Sequence, residues 1–98
     1  MAVSKVPGSK VPVSKVRVSR ADLARACDLA LAGQWDAAHG IVQEDEDEPT
    51  SCWIHGVLHK MEGDAPNARY WYRKAGQFFE SYADPAAELH AIKATLTY

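Results

Sequence analysis

The sequence predicts an all-α domain over residues 19–98: about five helices, arranged as two stacked helix-turn-helix units with a C-terminal capping helix. Three observations carry this expectation. Apolar residues recur at spacings of three and four from Ser19 onward, the spacing of one helix face. Capping residues and glycines punctuate that pattern at helix-length intervals. The punctuation itself repeats with a period of about 30 residues, so Ala26, Gly33, Ala38 and Val42 fall on Gly56, Gly63, Ala68 and Tyr72.

The elements follow in order. Ser19 can cap a first helix, with Asp22 in its first turn and Leu23, Ala26 and Ala30 on one stripe, and Gly33 ends it. A shorter helix runs from Trp35 to about Gln43, with Trp35, Ala38, Ile41 and Val42 on one face. The acidic run Glu44 to Glu48, closed by Pro49, reads as a solvated loop whose last residues sit well near the next helix N-terminus. Thr50 or Ser51 can cap a third helix carrying Trp53, Ile54, Val57, Leu58 and Met61, which stops at Gly63. Asp64 caps a fourth, with Pro66 tolerated in its first turn and Ala68, Trp71, Tyr72, Ala75 and Phe79 as its buried stripe, reaching about Phe79. Asp84 and Pro85 open a fifth, with Leu89, Ile92 and Leu96 inward and Glu88 and Lys93 toward water.

Residues 1–18 are different in kind. The segments SKVPG, SKVPV and SKVRV form a five-residue repeat whose valines and prolines favour extended backbone, which reads as a flexible basic arm. Four of the eleven Lys and Arg residues lie in it with no acidic residue, so the rest carries seven cations against thirteen carboxylates, a net of −6 beside the whole chain's −2. Pro7 and Pro12 interrupt any amphipathic helix there and argue against a transit peptide. A chain of 98 residues, 47% hydrophobic, can bury one modest core. No apolar run approaches the roughly 18 residues of a membrane span. Cys27 and Cys52 have the spacing of ordinary reduced thiols, so the expectation is a cytoplasmic protein.

The series Gly56, Gly63, Ala68, Tyr72, Ala75, within HGVLHKMEGDAPNARYWYRKA, resembles the small-and-large pattern of tetratricopeptide repeats. The resemblance covers about 60 residues and implies stacked helical hairpins that bind a peptide or protein partner. It departs in its shorter period and in placing Asp45 where the second unit has Ala75, which implies a clipped first unit. The run from Trp53 to Ala75 is also similar to a group of small bacterial and fungal proteins, a resemblance that brings no activity with it.

The leading functional expectation is therefore a small adaptor, binding a protein or peptide across Trp53, Lys60, Arg69, Tyr70 and Arg73, where aromatics lie beside cations. Two units are few for a free-standing solenoid, so self-association into a homodimer is a companion expectation. The plainer alternative for the aromatics is core packing by Trp71 and Tyr72 with Tyr70 facing outward, since three consecutive helical residues point about 100° apart. A second functional expectation is metal binding. His55 and His59 stand at i and i+4, Glu62 follows His59 at i+3, and His39 on the preceding helix can supply a fourth donor. Against it, two half-apolar histidines can simply fill packing positions, and the His-Glu-x-x-His pattern of metalloproteases is missing. Nucleic-acid binding by the basic arm is a third expectation, weakened by the acidic body and the lack of interleaved aromatics. No glycine-rich phosphate loop or nucleophile–base pair points to an enzyme or a cofactor.

Overall fold

A computed structural model describes residues 18–97. The basic arm expected over 1–18 lies outside the described residues, apart from Val18. Five α-helices follow one another in the described chain: α1 (Arg20–Leu31), α2 (Trp35–Val42), α3 (Pro49–Met61), α4 (Ala65–Ala75) and α5 (Pro85–Leu96), with a 3-10 turn at Phe79–Ser81 before α5. No strand forms among the described residues, and no helix there is long and apolar enough to cross a membrane.

Local chemistry sets most of the helix ends. Ser19 and Asp22 form a reciprocal capping box, Ser19 Oγ accepting from the Asp22 amide at 3.0 Å and the Asp22 carboxylate accepting from the Ser19 amide at 3.2 Å. Asp64 and Asp84 cap α4 and α5, accepting from the amides of Asn67 and Ala86. Two expectations need correction. Neither Thr50 nor Ser51 caps α3; Glu48 does, accepting from the Ser51 amide at 2.7 Å, because Pro49 is preorganised for the first helical position and moves the start upstream. α4 stops at Ala75 and not near Phe79. Gly76 takes a left-handed φ of +72°, and the Gln77 amide turns back to the Tyr72 carbonyl at 3.0 Å.

The repeat register is visible in the turns. Gly33 N–H bonds the Ala30 carbonyl and Gln34 N–H the Leu29 carbonyl; Gly63 and Asp64 repeat the pattern onto Lys60 and His59. The α1–α2 and α3–α4 hairpins are thus built alike, and Ala26, Ala38, Val42, Gly56, Ala68 and Tyr72 are all buried. Gly56 is where the second hairpin closes most tightly. A Cβ there would stand 2.7 Å from Tyr72 Cδ2 and 3.3 Å from the Ala68 carbonyl oxygen, so only hydrogen fits between the helices.

α5 packs against α1 and α3, across the first helices of both hairpins, while α4 meets α3 and the 3-10 turn. It is fastened to α1 by Lys93 on Asp28 at 2.7 Å and by Arg20 donating to the Thr95 carbonyl at 2.7 Å. Leu89, Ile92 and Leu96 point inward as their spacing predicts. Glu88, expected on the wet face, is fully buried. Its Oε2 accepts from Tyr72 Oη at 2.7 Å and Trp53 Nε1 at 2.8 Å, and its Oε1 pairs with Lys60 Nζ at 2.9 Å. Lys60 also donates to the Phe79 and Tyr82 carbonyls, so its three hydrogens are all engaged. Val18, read as the end of the arm, is 5% exposed and joins the core. The acidic loop is also less wet than expected: Asp45 is buried, and its Oδ1 accepts from the amides of Asp47 and Glu48.

Candidate metal centre

The seam between the two hairpins gathers three histidines. His39 comes from α2, and His55 and His59 come from successive turns of α3. A ring nitrogen of each lies within 4.8 Å of those of the other two, and His39 Nε2 stands 3.1 Å from His55 Nε2. Two imidazole nitrogens bound to one tetrahedral ion at bond lengths near 2.0–2.1 Å would stand about 3.3 Å apart. The observed separation is close to that, and without an ion it is an N–H···N hydrogen bond between the two rings.

Aromatic walls hold the cluster. Trp35 stacks on His39 with centroids 4.6 Å apart and meets His59 edge-on. Its own indole N–H is tied to the Leu58 carbonyl at 2.7 Å, which fixes the ring. On the far side Trp71 of α4 stacks on His55 at 3.8 Å. His55 and His59 are buried and His39 is half-buried. Burial holds the His39 imidazole below its ordinary pKa, and proximity to His59 adds to this. Burial likewise lowers His55, to about 3, with His39, His59 and Lys74 each adding positive charge against its protonation. Both rings therefore stand neutral at pH 7, the form that ligates metal. Buried His55 Nδ1 has no hydrogen-bond partner among the described residues.

Glu62, three residues after His59, is expected on the same face of α3. In the structure its carboxylate meets His59 Nδ1 at 2.7 Å as hydrogen-bond acceptor, which leaves Nε2 as the other ring nitrogen. A second group of donors, His59, Glu62 and Asp64, shares this histidine. The histidines do not follow the repeat: in its register Arg25, Leu29 and Arg69 stand opposite His55, His59 and His39. In the sequence, Trp35 and Trp71 fall on apolar packing faces of their helices. The Trp35–His39 spacing of i, i+4 could have signalled a part in the site; His55 and Trp71 lie on different helices, with nothing local to connect them.

The residues expected to form a partner face separate into two groups. Trp53 and Lys60 turn toward Glu88, as described above, and the Lys60 side chain is only 9% exposed. Arg69 pairs with Glu80 at 2.8 Å and lies over the Phe79 ring, while Tyr70 and Arg73 are exposed. Arg69, Tyr72, Arg73, Gln77, Phe78, Phe79 and Glu80 line a surface groove of about 250 Å³ beside the end of α4. No protein-family model, curated protein or solved structure matches the chain.

Proposed function

We propose that this protein binds a divalent transition-metal ion through His39, His55 and His59. The observation that carries the reading is the convergence of three imidazoles from two hairpins, with one pair of nitrogens already 3.1 Å apart. Imidazole donors suit zinc, copper and nickel over magnesium or calcium, which prefer oxygen. An ion here would tie α2 to α3. Two reduced, buried cysteines accord with a cytoplasmic setting for such a protein.

Elemental analysis of untagged protein and thermal melts in added zinc test this. Zinc at a hundredfold over its Kd should stabilise the fold by about 2.7 kcal/mol, a rise in Tm on the order of 10 °C. His39→Ala and His59→Ala should each remove that rise. Protein that carries no metal and melts identically with and without zinc would sink the reading.

A second reading keeps the adaptor expectation at a smaller face. Phe78 is 76% exposed at the groove, where Arg69 is paired with Glu80 and the exposed Arg73 brings a further guanidinium to a body of net negative charge. This complements a peptide carrying carboxylates beside an aromatic side chain. A fluorescein-labelled Glu-Phe-Glu peptide should lose binding at least tenfold in the Arg73→Glu, Phe78→Ser double variant; equal binding by the variant and the parent would refute this assignment.

A further inference from the structure

Three imidazoles leave a tetrahedral ion one ligand short. The nearby carboxylates have other work. Glu62 is engaged with His59 Nδ1, and Asp64 caps α4 through the Asn67 amide. Asp36 and Glu46 act on His39 by charge, yet neither joins the donor group. His90 is exposed on α5, the Cys52 thiol donates to the Glu46 carbonyl, and residues 1–17 contain no His, Cys, Asp or Glu.

Building on the metal reading, we infer that the ion's inner sphere is His39, His55, His59 and one small monodentate donor from solution, water or a simple anion, with Glu62 outside it as the residue that positions His59. Two physical arguments support this division. Imidazole ligands carry no charge, so they leave the ion's double positive charge undiminished in the inner sphere, and it attracts an anionic fourth donor. Trp35 and Trp71 wall the cluster on two sides, and His39 is the ligand that reaches solvent, so the donor entering there must be small. A carboxylate on the second nitrogen of a ligating histidine fixes its tautomer and raises its basicity, which is the part Glu62 is placed to play.

Cobalt(II) titrated into full-length, metal-free protein, followed by visible absorption, tests both halves with azide as the probe. Azide should shift the cobalt bands saturably in the parent. Glu62→Gln should bind cobalt roughly 10- to 100-fold more weakly, yet once loaded show the same bands and the same azide response. A loaded parent blind to azide would overturn the open position and point to a fourth ligand from Glu62, Asp36 or Glu46. Altered bands in loaded Glu62→Gln would place that carboxylate on the ion. Failure of the parent to bind cobalt or zinc at all would instead defeat the metal reading beneath the inference.

Discussion

Glu88→Ala is expected to cost roughly 3–5 kcal/mol, because it strips the counter-charge from a nearly buried lysine and the acceptor from the buried Tyr72 hydroxyl and the half-buried Trp53 indole at once. Glu88 joins α5 to Trp53 and Lys60 of α3 and to Tyr72 of α4, all within 2.9 Å. Burial, reinforced by the bond to Glu88 and the charge it carries, pushes the Tyr72 hydroxyl far above its usual pKa, so it remains a donor at any pH the protein tolerates. Lys60 has the carbonyls of Phe79 and Tyr82 left to it in the variant, but no negative charge. Small domains are stable by about 5–15 kcal/mol in all, so the loss is a large share. Urea denaturation of the metal-free protein measures it. Replacing both partners, Lys60→Met with Glu88→Leu, should recover the part of the loss that comes from one buried charge without the other, while Tyr72 Oη and Trp53 Nε1 still lack their acceptor. A Glu88→Ala variant within about 1 kcal/mol of the parent would show that the node contributes little.

The second large effect is with acid. In the unfolded chain His55 takes up its proton near pH 6.5; in the fold it does so only near pH 3. Between these values the unfolded state binds more protons, so the stability held above pH 6.5 is lost progressively as pH falls, and the loss is complete below about pH 3. His55 alone gives about 2 kcal/mol by pH 5, at about 1.4 kcal/mol per pH unit. His39, also lowered by burial, acts in the same direction. The titratable groups facing His55 are its neighbours His39 and His59 and, from α4, the Lys74 ammonium. Denaturation midpoints of metal-free protein at pH 7 and pH 5 would read this out, and His55→Gln should flatten the dependence between them. A midpoint unchanged from pH 7 to pH 5 would contradict a neutral buried His55.

The helices are legible because their signals are local. Ser19 with Asp22, Asp64 with Pro66, and Asp84 with Pro85 each state a helix start within one turn. Gly33 and Gly63 state two stops, with φ values of +81° and +85°. The candidate centre is half legible. The i, i+4 pair His55 and His59 names one helix face, and His39 is placed near it by the expectation that consecutive helices are neighbours. Glu62 is identified as a neighbour of His59, and the structure brings its carboxylate to His59 Nδ1 at 2.7 Å.

Glu88 shows the limit most plainly. A carboxylate beside Leu89 and one turn before Ile92 reads as the polar edge of an amphipathic helix. Only the packing of α5 across α1 and α3 carries that edge into the core, where Lys60, Tyr72 and Trp53 wait with donors. What the sequence alone determined about this protein is its set of helices, most of their ends and the repeating plan of its two hairpins, since caps, periodicity and glycine turns act over a few residues. The tertiary structure decided the partners: His39 with His55, His55 with Trp71, Glu88 with Lys60. Those pairings depend on how far each helix is rotated and how closely it crosses its neighbour, which is set by side-chain packing across the whole core, including the hydrogen at Gly56 that lets α4 approach α3.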